Sequence, residues 1–188
     1  VERLGRLAAE QLLALVDGEP IATADPVKGL SGAVGHIRLR ARARRTPAQR
    51  SGILARAEAA VADASGLDDP ARLREAHVAL QGARLADEGE GDRIAVPCAA
   101  ARLDLGGVRL VGLGGEPFSA LGDRLVARDG AAMLVGYANG YCGYLPTADA
   151  FDREDYEVLI SKVARGESER AVDGAAGLGA PQRRSGSV

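Results

Sequence analysis

The sequence predicts an α/β fold, a layered mixed sheet with flanking helices, and three observations carry that expectation. Apolar stretches of strand period alternate along the chain with stretches of helical period. Glycine and proline clusters fall between them, where turns belong. Two helical stretches open on a capping residue followed by proline, at Thr46-Pro47 and Asp69-Pro70. The 188 residues, 46% hydrophobic and 27% charged, suffice for one domain with a sizeable core, and no internal repeat divides them.

In chain order, "VERLGRLAAEQLLALV" reads as a helix, with Leu4, Leu7, Ala8, Leu12, Leu15 and Val16 at helical spacing and Gly18 and Pro20 ending it. It starts without a cap, in a chain that starts on Val, so we expect further sequence upstream. "SGAVGHIRLRARARR" (31–45) reads as a strand entered through a glycine turn, its arginines on a solvated face. Thr46, Pro47 and Gln49 then spell a capping box, with Ile53, Leu54, Ala57 and Val61 as the buried stripe. Asp69-Pro70 opens a second helix with Leu73, His77, Leu80 and Arg84 along one face. "EGEGDR" is a turn. Two strands follow, "RIAVPCAAARLDL" and "GVRLVGLGG", joined at Gly106-Gly107. "EPFSALGDRLVAR" (116–128) reads as helix, "AAMLVGYA" as a short buried strand, "YEVLISKV" (156–163) as another strand and "ESERAVDGAAGL" as the last helix. The domain is expected to span 1–178, and 179–188 to be a disordered tail.

Composition excludes some classes. A net charge of -2 and a pI near 5.8 give no electrostatic case for nucleic acid or an anionic membrane surface. No apolar run reaches the ~18 residues of a membrane span, and the N-terminus has no secretory pattern. Cys98 and Cys142 lack the spacing of a metal knuckle, and two cysteines are too few for a disulfide framework; Cys142 reads as a small packing residue. His36 and His77 are far apart and lack metal-ligand spacing.

The chemistry concentrates in two places. In "LVGLGGEPFSALGDRL" an apolar strand runs into Gly114-Gly115, and Glu116 stands before Pro117 at a strand-to-helix corner. That posture suits a ligand or an acid/base, and equally a carboxylate capping the helix that follows. In "GYANGYCGYLPTADAFDREDYEV" stand all four tyrosines of a chain without tryptophan: Tyr137, Tyr141, Tyr144 and Tyr156. A phenol near a divalent cation loses its proton easily and becomes an oxygen ligand. Without a cation it donates to an oxyanion, or its hydroxyl simply reaches water.

"GGEPFSALG", followed by "LVGYANGYCGYLPTADAFDREDYEV", resembles the C-terminal part of the catalytic domain of the neutral/alkaline, non-lysosomal ceramidase family, and more closely its shorter bacterial relatives. The opening "VERLGRLAAEQLLAL" resembles the helix after that family's nucleophile region. The resemblance is specific over about 111–163. It implies a zinc-dependent amidase that cleaves the N-acyl bond of ceramide or a related lipid or small-molecule amide. Glu116, in a Gly-Gly-Glu corner where the family has Pro-Gly-Glu, would be a metal ligand. Tyr144, the second tyrosine of Asn-x-Tyr-x-x-Tyr, would be another. Tyr156, in a Tyr-Glu pair, would contact the reacting group and stabilise the oxyanion.

The family's two zinc histidines, its serine and its arginine have no match here. The resemblance therefore implies that the chain is the C-terminal portion of a larger catalytic domain and inactive in isolation. Its partner would be the missing N-terminal part of the same domain, supplying the two remaining Zn2+ ligands. Two other readings stand beside this one: a non-catalytic α/β binding module that has lost the metal, and a hydrolase of the same family with a different substrate. Neither substrate nor compartment follows from the sequence.

Overall fold

Alternating inward residues build the central sheet. In the computed structural model, which describes residues 2–18, 29–86 and 94–179, four strands lie in the order β1 (Leu30–Arg40), β2 (Ala95–Leu105), β3 (Val108–Leu113) and β5 (Ala132–Val135). The first two ladders are antiparallel and β3–β5 is parallel, so the sheet is mixed as expected. Gly106 and Gly107, at φ 58° and 112°, close the β2–β3 hairpin in the left-handed conformation that a tight two-residue turn demands.

One face of the sheet carries Leu39, Val96, Cys98, Ala100, Val111 and Leu113. Over it lie α4 (Ser119–Arg128) through Leu121 and Leu125, and α6 (Glu167–Ala176) through Ala171, Val172 and Ala175. A second cluster joins α2 (Pro47–Ser65), α3 (Pro70–Leu85) and α5 (Tyr156–Ile160) through Ile53, Ala57, Leu80, Ala83 and Leu159. Both expected caps form. Gln49 N donates to Thr46 Oγ1 at 3.2 Å and Thr46 N to Gln49 Oε1 at 2.9 Å, while Asp69 Oδ1 accepts from Ala71 N and Arg72 N.

The structure corrects the expected elements in five places. The strand expected to run to Arg45 ends at Arg40, because Arg40 N–H turns from the ladder to Glu167 Oε2. The helix expected from Glu116 begins at Ser119. Glu116–Pro117 is instead a two-residue strand, β4, paired in parallel with β6 (Tyr144–Leu145). "YEVLISKV" opens as helix α5 rather than strand: the adjacent Val158 and Leu159 are both buried, which a helix allows, and Glu157 favours the positive helix end. Only Val163, bridged to Ala41, keeps a strand-like pairing. On α3 the buried stripe is Ala76, Leu80, Gly82 and Ala83, with His77 and Arg84 exposed.

Helix α1 (Glu2–Val16) has its expected period but buries none of its side chains. The sheet face opposite α4 and α6 likewise leaves Val34, Leu103, Met133 and Val135 exposed. The expected ending at Pro20, the "EGEGDR" turn and the tail beyond Gly179 lie outside the described residues. Among the described residues, no helix is long and apolar enough to cross a membrane.

Candidate functional site

The tyrosine segment wraps the C-terminal end of β3. Ala138 N donates to Leu113 O, Cys142 N to Gly114 O and Tyr137 N to Gly115 O, at 2.9, 2.7 and 2.9 Å. These bonds occupy the carbonyls that β3 exposes where its ladder stops. To make them the loop takes left-handed turns at Tyr137 (φ 56°) and Asn139 (φ 61°), the second helped by an asparagine side chain and the first not. A tyrosine held at positive φ is strained backbone, and such strain collects at ligand-handling sites.

Beyond the loop the chain returns alongside the Glu116 corner. Glu116 N donates to Gly143 O at 2.9 Å and Phe118 N to Leu145 O at 3.1 Å, setting Glu116 opposite Tyr144 in the β4–β6 register. Ser161 Oγ, almost fully buried, donates to Tyr144 O at 3.0 Å and fixes β6 from its other side. The three residues expected at the site are therefore neighbours: Glu116 faces Tyr144, and the Tyr156 ring meets the Tyr144 ring edge-on at 6.2 Å and 80°.

Tyr141 donates its hydroxyl to Glu116 Oε1 at 2.6 Å. The Tyr137 and Tyr144 phenols lie near enough to act on the acidity of this carboxylate. Hydrogen bonds from Tyr137 and then Tyr141 hold the Glu116 carboxyl below its usual range, against the smaller opposing effect of burial. Tyr137 and Tyr141 stack in parallel, centroids 5.9 Å apart at 7°, with about two-thirds of each residue exposed (65% and 64%). Glu116 thus sits between an exposed stacked pair and a half-buried edge-on pair. The sequence grouped the four rings but gave Tyr137 and Tyr141 no role. The available signal was their spacing of four across Asn139-Gly140, a turn that folds two phenols back onto one point.

Tyr141 pays for this bond in acidity. Its phenol is pushed up to about 12, first by donating to Glu116 and then by burial and the carboxylate charge. Alkaline titration of tyrosine absorbance is expected to show one phenol ionising near 12, and Glu116→Gln to bring it back toward ~10. Four transitions unchanged by that substitution would remove the Tyr141–Glu116 bond from the account. Tyr144 is also raised, by burial first and then by the charges of Glu116 and Glu157. A nearby cation is what would reverse that bias and favour its phenolate.

An apolar groove of about 860 Å³ opens beside Glu116, lined among others by Phe118, Val126, Met133, Leu134 and Tyr137, with α1 reaching it through Leu15. On the other side a smaller recess gathers Glu116, Tyr144, Asp155 and Glu157. Among the described residues no three His, Cys, Asp or Glu side chains converge as a metal-holding group. At the end of β3 the site therefore offers the Glu116 carboxylate and phenol oxygens, with Asp155 and Glu157 along the recess. Compared with protein-family models, with curated proteins and with solved structures, the chain matches none.

Proposed function

We propose that this chain carries part of the active site of a zinc-dependent amidase of the ceramidase type, acting on an N-acyl amide with a long apolar portion. The observation that supports it is the pairing of Glu116 with Tyr144 at the end of β3, with Tyr156 against Tyr144. The donor chemistry fits zinc in part. An ionised carboxylate and a phenol oxygen would fill two positions, and catalytic zinc takes at least three protein ligands. The remaining donors would come from another part of the same domain. Exposed apolar surface on α1 and on the open sheet face is where such a part would pack.

In this reading Glu116 and Tyr144 hold the metal, and Tyr141 and Tyr137 hold Glu116 ionised and oriented. Zinc, when bound, would supply Lewis acidity toward the amide carbonyl and the attacking hydroxyl. The Tyr156 hydroxyl donates a hydrogen bond to the amide oxygen as it gains charge. The apolar groove beside Glu116 takes the acyl or long-chain end and keeps water from it.

A second reading has its own support. Glu116 is already satisfied by phenol donors without any cation, which suits a non-catalytic module binding an apolar ligand in the groove. Zinc titration by calorimetry separates the two, using the longest natural reading frame that carries this chain. The amidase reading expects one zinc per chain, with affinity falling about 100-fold or more in Glu116→Ala and at least about 10-fold in Tyr144→Phe. It also expects fatty-acid release from long-chain N-acyl amides, lost in the same variants. Zinc affinity untouched by both substitutions would leave the binding module standing alone.

A further inference from the structure

Strand β1 is an edge of the four-stranded sheet, and the chain covers only part of that edge. Gly106 N donates to Gly29 O, which fixes the phase of the antiparallel β1–β2 ladder. Odd-numbered residues of β1 bond to β2, and even-numbered ones turn their N–H and C=O outward. Toward the C-terminal end the outward groups find partners. Arg170 donates to Arg38 O, Glu167 Oε2 accepts from Arg40 N, and Ala164 N donates to Arg40 O at 3.0 Å. Leu30, Gly32, Val34 and His36 present the same groups, and nothing among the described residues bonds to them. Residues 30–36 also carry no proline and no Lys, Arg, Asp or Glu, the side chains that ordinarily blunt an open edge.

We propose that this edge is a homodimer interface, in which β1 of a second copy pairs antiparallel with β1 about a two-fold axis at Ala33 and doubles the sheet. This register sets outward residue against outward residue, each such pair exchanging two backbone bonds. A slip of one residue would set outward groups against residues already bonded to β2. The side chains fit the same register, which puts Gly32 opposite Val34 of the second copy and Leu30 opposite His36. Gly32 leaves a gap on the open sheet face, and Leu103 leans over it with Cδ1 3.3 Å from where a Cβ would stand. Val34, 78% exposed in the single chain, fills that gap from the second copy and covers Leu103. The two-fold axis repeats the fit on the other side, so both copies are satisfied by one surface. The contact uses the edge alone and leaves the Glu116 site free, so it holds under either functional reading.

Sedimentation velocity of the full chain over a concentration series tests the assembly, and amide exchange followed by NMR tests the register. A reversible monomer–dimer equilibrium is expected. Val34→Asp, at a side chain already exposed, weakens it at least about 10-fold by bringing like charges together across the axis. Val34→Pro deletes one outward N–H, spares the bonds to β2 and weakens it to a similar degree. Val78→Asp, which changes an exposed valine on α3, leaves the equilibrium as it is. Exchange at Gly32, Val34 and His36 slows as concentration rises, while Ala33 and Gly35, bonded to β2, are protected throughout. A chain that stays monomeric over the whole series would overturn the proposal and leave the edge to a strand of another protein. A dimer that ignores Val34→Asp, or one whose Gly32 and Val34 amides exchange as fast as in the monomer, would overturn it equally.

Discussion

Replacing Gly115 by alanine lowers stability by about 3 kcal/mol and parts Glu116 from Tyr144. A Cβ at this position would stand 2.8 Å from Gly143 O, and 3.0 Å from both Cys142 Sγ and Leu145 Cδ1. The closest of these atoms cannot yield cheaply. Gly143 O accepts the Glu116 N–H at 2.9 Å, so moving it breaks the bond that sets Glu116 against Tyr144. Gly115 itself is not at positive φ, so the cost comes from crowding rather than from backbone strain. Alanine would even be favoured by about 0.4–1 kcal/mol through the unfolded chain, which the clash must exceed. Urea unfolding followed by tyrosine emission measures both consequences at once. Gly130→Ala is the control, because nothing lies within 4 Å of its Cβ position, and it should stay within about 0.5 kcal/mol of wild type. Equal midpoints for the two variants would show that the corner is not sterically closed.

The difference between the legible and the hidden parts of this fold is one of range. Thr46 and Asp69 announced their helices because a cap and its partners lie within three residues of one another. Gly106-Gly107 announced the β2–β3 hairpin because the turn itself needs two positive φ values. Strands β4 and β6 could not be seen that way, since two residues show no period and their partner lies outside the local window. Helix α5 misled for a related reason. Its "YEVLIS" has the β-branched content of a strand, and only burial of Leu159 against α3 decides for helix.

At the site the residue types were legible and their contacts were not. Glu116, Tyr144 and Tyr156 stand as neighbours, yet the phenol bonded to the carboxylate is that of Tyr141, stacked on Tyr137. Their contact depends on a loop closing over β3, which no spacing rule reports.

Glu167 carries the other large effect, and it concerns how the platform beneath the site is held. Its carboxylate is 3% exposed at the start of α6. It accepts from Arg40 N and Arg40 Nε at 2.8 Å each, and from Arg170 at 2.9 and 2.6 Å. Burial alone would push the group up, but hydrogen bonds from Arg170 and Arg40 and the Arg170 charge outweigh it and hold the carboxyl at about 2. Removing the acceptor leaves a backbone N–H of β1 unmatched and takes away the carboxylate partner of Arg40, while Arg170 keeps its bond to Arg38 O, so Glu167→Ala should cost about 3 kcal/mol at neutral pH. The pH dependence follows from the direction of the shift. A carboxyl lowered in the folded state stabilises fully above its unfolded value of about 4.3, and loses that contribution as pH falls through about 2. Solvent screening of the two exposed arginines limits this contribution to about 2 kcal/mol. Urea unfolding at pH 7, 4 and 2 is therefore expected to show wild type losing stability between pH 4 and 2, with Glu167→Gln less stable at pH 7 and flatter below it. Parallel curves for the two proteins would mean that Glu167 is not the charge that ties α6 to β1, and the bracing of the sheet would have to be sought in the apolar contacts of Ala171, Val172 and Ala175 alone.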